Sequence, residues 1–349
     1  MTHQASETLV NARSAVFDVL AERLGQEITV TPRPRLDHQS NNLYDAWANG
    51  ERLIVKEFLK PDEFNDAPRR EFDGLTRVRD LDIAPRPVLR LPPSDACGPL
   101  VVYAYMPGEM WDRRQPSRLE LEQLAGLWLR LHALPTEGLW PSRGYDLALA
   151  QHAPRWRQTL TDYLAWTEAH CPAATPQAQA CLDLLAARAP QIEALTGMRP
   201  VPAFCRSDAR FANVIARPDR RLGMVDWEDC GLRDPAIDLA DLLTHANQED
   251  LLSPAGWRAF LDPYLAERTL IDPTLPDRLH LYLAGFPIFW LAALSRWVIR
   301  LAAEGGLETW TLNTMPANDR LRRWLARARA WPNEDFCTEL AALDGARFF

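Results

Sequence analysis

Cys205-Arg-Ser-Asp-Ala-Arg-Phe-Ala-Asn213 and, shortly after it, Met224-Val-Asp-Trp-Glu228 decide how this chain folds. An Asp, four intervening residues and an Asn are followed by a second Asp at position 226. Between them Val214-Ile-Ala216 reads as a short apolar strand. Arg217-Pro-Asp-Arg-Arg221 carries turn chemistry, and Leu222-Gly-Met-Val225 reads as the returning strand. In an antiparallel hairpin the first residue of one strand lies beside the last of the next. The spacing predicts that Asn213 and Asp226 meet at the open end, two hard oxygen ligands able to share a divalent cation. Alone, Asp-x₄-Asn is a solvated loop; the hairpin and the second Asp make it a candidate site.

A second signal lies upstream. Leu53-Ile-Val-Lys-Glu-Phe58 is a β-rich run with one Lys inside it. Glu71 sits in Pro68-Arg-Arg-Glu-Phe-Asp-Gly-Leu-Thr-Arg-Val78, a helix pattern with a Pro near its start. Taken singly, Lys56 is an edge-strand solubility residue and Glu71 a solvated helix position. Taken with the Asp208 loop they form an ion pair that holds an ammonium on nucleotide phosphates. Lys56, Glu71, Asp208, Asn213 and Asp226 then reproduce the order of a kinase site: phosphate Lys, its Glu partner, the hydroxyl-orienting Asp, and two metal ligands. Phosphoryl transfer asks the protein mainly for such positioning. The chain has no G-x-G-x-x-G and no G-x-x-x-x-G-K-[ST], so Walker-type nucleotide binding is not supported. Ser40-Asn41-Asn42 reads instead as a turn between strands whose N–H groups face phosphates, because Asn tolerates the left-handed conformation. Leu100-Val-Val-Tyr-Ala104 reads as a buried strand running into Tyr105-Met-Pro-Gly108, a hinge-like turn.

These pieces resemble the aminoglycoside phosphotransferase and choline kinase family of small-molecule kinases. The resemblance runs from about Leu36 to Leu243. It includes Leu124-Ala-Gly-Leu-Trp-Leu-Arg-Leu-His-Ala-Leu134, Asp226-Trp-Glu-Asp-Cys-Gly231 and Asp234-Pro-Ala-Ile-Asp-Leu-Ala-Asp-Leu242. It implies a bilobal α+β, protein-kinase-like fold with a small β-rich N-terminal lobe and a larger helical C-terminal lobe. It implies ATP or GTP as donor, Mg²⁺ as cofactor and a small-molecule hydroxyl acceptor: an aminoglycoside, a choline-like amino alcohol or a sugar. It makes Asp208 the base or hydroxyl-orienter, with Arg210 as a charge near the transferring phosphate. Ser40, Asn41, Asn42, Lys56 and Glu71 are assigned to the nucleotide phosphates. Ala104 and Met106 offer hinge backbone groups to the base, and Asn213, Asp226 and Glu228 hold the metal. Asp238 ties down the catalytic-loop backbone. The family usually writes His-Gly-Asp where this chain has Arg206-Ser-Asp208, so Arg206 must brace the loop in its own way.

The bulk properties agree. A chain of 349 residues can bury two cores, and 47% hydrophobic with 25% charged residues is a globular composition. A net charge of −8 argues against a nucleic-acid surface. Six scattered Cys without C-x-x-C indicate neither a zinc site nor a disulfide frame. The first residues lack a signal-peptide pattern, and no charge-free apolar run of about 18 residues occurs, so a cytoplasmic protein without a membrane span is expected. The expected division is 1–105, with a leading helix at 8–26, a sheet and the Glu71 helix, and 106–349, helical and containing the catalytic loop 204–228. Pro-rich loops are expected at 84–93, 135–141 and 172–176. Tyr282, Phe286, Phe289, Trp290 and Trp297 recur near helical spacing around Pro287, as core or as a cation-caging wall. Asp229, Asp234, Asp241 and His245 are further candidates to face the acceptor. A nucleotide binder with weak turnover, a kinase acting on a protein side chain and a scaffold without a nucleotide site are the rival readings. The sequence leaves oligomeric state open.

Overall fold

Strand β2 (Asn41–Ala48) and strand β3 (Glu51–Phe58) form a hairpin in register from Asn41↔Phe58 to Ala48↔Glu51. Its turn is Asn49-Gly50, both with positive φ (+53° and +76°), as a two-residue hairpin turn requires. The computed structural model describes residues 16–23, 28–34, 41–59, 66–95, 97–111, 115–141, 152–245, 254–303, 311–312 and 315–330. The chain divides into two units: Met1–Trp111 with Ala212–Gly231, and Asp112–Phe211 with Leu232–Phe349.

In the first unit the hairpin sits in a five-stranded antiparallel sheet with β1 (Thr29–Pro32), β4 (Pro87–Leu91) and β5 (Leu100–Ala104), in the order β1-β2-β3-β5-β4. Strand alternation sorts its faces. Tyr44, Ala46, Leu53, Val55 and Val102 form one core with Val16 and Leu20 of helix α1 (16–23). Lys56 is turned to the other face. Helix α2 (Ala67–Arg77) begins at Asp66, whose side chain accepts from Arg69 N, and buries Arg70, Glu71, Gly74 and Leu75. Gly74 is required by close approach, since a Cβ there would lie 2.5 Å from Cys230 Sγ. Strand β6 (Glu109–Met110) pairs with β8 (Val214–Ala216), which pairs with β9 (Leu222–Met224).

Those contacts correct the expected division. The first unit runs on to Trp111, and 212–231 belongs to it, because β6 pairs with the hairpin and α2 packs on Cys230. The stretch 84–93 contains β4 and is no loop throughout; Pro87 is tolerated because β4 is an edge strand. Of the expected leading helix, only 16–23 lies among the described residues.

The second unit is helical. Helix α3 (Arg118–His132) opens with a capping box of Ser117 and Glu120 and buries Leu121, Leu124, Trp128, Leu131 and His132. It is followed by α4 (Ala153–His170), α5 (Thr175–Ala194) and strand β7 (Ala203–Cys205). After β10 (Gly231–Arg233), which pairs with β7, come α6 (Pro235–Thr244), α7 (Pro254–Arg268) and α8 (Leu275–Ala303). The short strands β11 (Thr311–Leu312) and β12 (Met315–Pro316) precede α9 (Ala317–Ala330). Every residue of α6 is buried. Helix α8 is long and apolar enough to cross a membrane by length and composition, yet 67% of its apolar window is buried inside the protein, as in a core helix.

Candidate active site

Lys56 is a cation enclosed by acids. Its Nζ lies 3.1 Å from Glu71 Oε2, 2.6 Å from Asp226 Oδ1 and 3.0 Å from Glu228 Oε2. Alternation along β3 aims Lys56 at α2, and Glu71 lies on the buried stripe of that helix. The hairpin delivers Asp226 and Glu228 just beyond β9. Asp226 takes φ +68°, a conformation that non-glycine residues rarely adopt and that recurs at functional sites. Asn41 Nδ2 donates to Glu228 Oε2 at 2.9 Å. One ammonium thus faces three carboxyl groups. Burial, with Asp226 and Glu228 adding to it against Lys56, pushes the Glu71 carboxyl up to about 7. Lys56 is held well above the ordinary lysine range: the three carboxylates outweigh its burial.

This cluster fits a divalent cation. One carboxylate oxygen each of Glu71, Asp226 and Glu228 lies within 4.8 Å of the others, Glu71 Oε1 has no hydrogen-bond partner among the described residues, and the acids outnumber the one cation. Asn213 is buried at the start of the hairpin, where its carbonyl accepts from Val225 N at 3.0 Å. It therefore stands opposite Val225, one residue short of Asp226.

The proposed nucleotide loop is corrected in part. Asn41 and Asn42 lie in β2 and form no turn, because they pair with Phe58 and Glu57. Asn41 shares the Lys56 face. Asn42 faces away from it, donating to Glu57 Oε2 at 2.9 Å beside Tyr44 OH at 2.7 Å. Ser40 lies outside the described residues. Ala104 ends β5 with its N–H committed to Arg86 O at 2.9 Å. The Met106 side chain covers Gly223.

In the second unit Asp208 lies on a short loop after β7. Ser207 (φ +56°) and Asp208 (φ +46°) are both left-handed, and the surroundings fix that unusual backbone. Asp238 Oδ1 accepts from Ser207 N at 2.8 Å, and its Oδ2 from Arg206 N at 3.4 Å. Asp241 Oδ2 accepts from Ala209 N at 3.2 Å. Buried Arg206 donates through NH1 to Asp208 O at 2.6 Å and Ser207 O at 3.3 Å. Arg206 braces the loop by gripping its carbonyls. Asp238 ties down the loop amides as the resemblance implied, and is itself oriented by Trp128 Nε1 at 3.1 Å and His132 Nε2 at 3.3 Å.

The Asp208 carboxylate has Arg210 Nε at 3.4 Å and His245 Nε2 at 3.3 Å. Burial raises its pKa, but Arg210, His245 and Arg206 together overcome this and hold it below the ordinary carboxylate range. Asp241 moves the opposite way. Burial first, then the nearby Asp208 charge, pushes it up to about 8. Neighbouring carboxyls driven apart in this manner mark a site where one is kept ionised and the other neutral.

Of the further acceptor candidates, Asp241 and His245 turn to the Asp208 loop. Asp234 instead caps α6 and accepts from Arg278 Nε at 2.8 Å and NH2 at 3.0 Å. Tyr282 and Phe286 are buried core residues and Trp297 is exposed, so the α8 stripe is no continuous wall. The sequence carries no sign of the Ser207 hydroxyl accepting from Arg233 NH1 at 3.2 Å. Positions 207 and 233 belong to no shared motif.

A small sheet unit carrying a Lys–Glu pair, and a helical unit carrying an Asp on a braced loop, define a bilobal α+β, protein-kinase-like fold. The model of the phosphotransferase enzyme family matches residues 31–282, and the chain belongs to that family. The choline kinase LicA of Streptococcus pneumoniae is similar in structure, with TM-score 0.60 and 17% identity over 90% of this chain and 99% of that one. Spectinomycin phosphotransferase, solved with ADP and spectinomycin, has TM-score 0.60 and 13% identity over 88% of this chain and 98% of that one. In sequence, the N-acetylmuramate/N-acetylglucosamine kinase of Caulobacter vibrioides is 31% identical over 177 residues, 45% of this chain and 42% of that relative. The chain thus spans less than half the length of that relative.

Proposed function

We propose that this protein transfers the γ-phosphate of ATP or GTP to a hydroxyl group of a small molecule, with Mg²⁺ required. The observation that carries this reading is the Lys56 ammonium among three carboxyl groups, an excess of acid that a divalent cation offsets while the ammonium faces the phosphates. Lys56, held by Glu71, contacts the phosphates. Asp226, Asn213 and Glu228 would hold Mg²⁺, which supplies neutralisation of phosphate charge. Asn41 orients Glu228, and the Ala104 carbonyl and the Met106 backbone meet the base. Asp208 accepts a hydrogen bond from the acceptor hydroxyl. As the hydroxyl oxygen forms its bond to the γ-phosphorus, the bond from phosphorus to the β–γ bridging oxygen breaks. Its electron pair leaves on the nucleoside diphosphate, and the hydroxyl proton passes to Asp208. Arg210 adds positive charge on the same side.

The sequence relative supports a sugar as acceptor, with N-acetylglucosamine and N-acetylmuramate the first to try. The structural neighbours support choline and spectinomycin as the next. We place the reaction in the cytoplasm, where nucleoside triphosphates are abundant. Incubation with Mg·ATP or Mg·GTP and each acceptor, read by mass spectrometry, tests the reading. A phosphorylated product is expected from one of these acceptors and not from the Asp208→Asn variant. No product from any of them, together with no thermal stabilisation by Mg·ATP or Mg·GTP, would sink it.

A further inference from the structure

His245 stands at the C-terminal cap of α6, and no motif marks it. Its ring is buried and its Nε2 lies 3.3 Å from Asp208 Oδ1. The ring packs edge-on against Trp290 of α8, with centroids 4.5 Å apart at 61°. Asp208 is an anion, so both its oxygens can only accept, and the hydrogen between the two residues belongs to His245 Nε2. Arg210 Nε approaches the other oxygen, Oδ2, at 3.4 Å. The carboxylate thereby has a partner at each oxygen, a half-buried arginine in ion-pair contact on one side and a buried, packed ring on the other.

We propose that His245 is a positioning residue for Asp208, its Nε2–H fixing the plane of the carboxylate that receives the acceptor hydroxyl. The inference rests on the reading of Asp208 given above. The charged groups acting on the ring are Asp208, Arg210 and Arg206, while α8 offers it the Trp290 indole. Burial lowers the His245 pKa more than Asp208 restores it, so the imidazole is neutral near pH 7. A neutral donor orients the carboxylate without adding a charge that would compete with Arg210 for the phosphate. Tight orientation matters here because a loose phosphoryl transition state gains more from hydroxyl alignment than from full deprotonation.

The test uses the full chain, with ADP release from Mg·ATP and water as the acceptor, so that no acceptor need be known. His245→Leu should lower the rate by about tenfold or more, the loss expected for a hydrogen bond to a charged group. The KM for ATP should stay within about twofold, since the ring acts through Asp208. Loss of the donor raises the Asp208 pKa, so the acid limb of the rate should move to higher pH. His245→Gln keeps an N–H within reach and should recover most of the rate. Two-bond ¹H–¹⁵N correlation NMR of the imidazole, which needs no turnover, should find the neutral Nε2–H tautomer at pH 7. An Nδ1–H tautomer would overturn the proposal, as would a folded His245→Leu with native rate and acid limb. If Asp208→Asn releases ADP as fast as the native chain, the reading of Asp208 has failed and takes the proposal with it. If Asp208→Asn is impaired while His245→Leu is not, only the proposal has failed.

Discussion

The Lys56 cluster and the Asp208 loop are both built from carboxylates, and they use them in opposite ways. Around Lys56 three acids crowd one ammonium, Glu71 Oε1 has no hydrogen-bond partner among the described residues, and burial pushes the Glu71 carboxyl up to about 7. Around Asp208 the carboxylates are matched to donors: Asp238 to the amides of Ser207 and Arg206, Asp241 to Ala209 N, Asp208 to Arg210 and His245. The first region is electrostatically incomplete and demands a ligand. In the second each carboxyl group has a donor or a cation beside it, and these contacts hold a shape. A site of the first kind binds and a site of the second kind orients, which is the division of labour that phosphoryl transfer requires.

The largest expected effects break that contrast if it is wrong. Asp226→Ala should reduce phosphotransfer by about a thousandfold or more, because it removes a charged oxygen ligand from the incomplete cluster. It should also abolish thermal stabilisation by Mg·ATP. Asp208→Asn should lower turnover by about 10²- to 10⁴-fold and leave that stabilisation in place. Turnover and melting shifts measured on both variants separate binding from orientation. Loss of nucleotide stabilisation in Asp208→Asn would erase the distinction.

Next in size is the Lys56–Glu71 pair. Lys56→Met should raise the KM for nucleotide and cut turnover by about a hundredfold, since the acids lose their cation and the phosphates a point charge. Glu71→Gln should reproduce the defect at about a tenth of its size, by freeing Lys56. A double-mutant cycle should find the two effects coupled, and strict additivity would mean that Glu71 does not hold Lys56.

How much of this was readable beforehand follows from the range of the interactions. The hairpin β8–β9, the strand carrying Lys56 and the helix carrying Glu71 were all readable, because turn residues, alternation and a Pro near a helix start act within a few positions. The Ser40–Asn42 segment misled. Its composition is that of a turn, but pairing with β3 makes Asn41 and Asn42 part of a strand, and Asn41 finds its partner in Glu228, far along the chain. The membership of 212–231 in the first unit is likewise set by pairing with β6 and by the tight contact at Gly74. His245 was at most one polar candidate among several. A lone His after a helix carries no periodicity, and only the fold brings it to Asp208.

A further effect separates the two regions by pH. The Asp241 carboxyl is raised to about 8 in the folded protein, against an ordinary value near ~3.9. Between those values the folded state binds a proton that the unfolded state has released. Folding is therefore favoured at the acid end and loses stability as pH rises toward 8. Asp241→Asn keeps an oxygen for Ala209 N and removes the titration. It should match the native chain near pH 4 and exceed it at pH 8 by several kcal/mol, on the order of 5 for the full shift. Urea unfolding of both chains at the two pH values measures this. A difference that does not grow with pH would mean that Asp241 is ionised in the fold.

The smallest expected effect probes the Asp208 loop at its first left-handed residue. Ser207 is left-handed at φ +56°, where the resembling family writes Gly. A side chain in that conformation costs about 1 kcal/mol or slightly more. In this chain the hydroxyl offsets the cost by accepting from Arg233 NH1 at 3.2 Å, a bond worth about 1.5 kcal/mol or more because its donor is charged. Ser207→Ala gives up the bond and keeps the strain, so it should destabilise by roughly that amount. Ser207→Gly gives up the bond and the strain together, so it should fall within about 1 kcal/mol of the native chain. The Ala-to-Gly difference, read from urea unfolding at one pH, isolates the backbone cost. Equal stability for the two variants would mean that the loop holds Ser207 without strain, and that the donors around Asp208 order a loop that needed no forcing. A Gly variant clearly more stable than Ala, with turnover preserved, would mean that the fold spends hydrogen bonds to keep Asp208 in a conformation its own backbone disfavours.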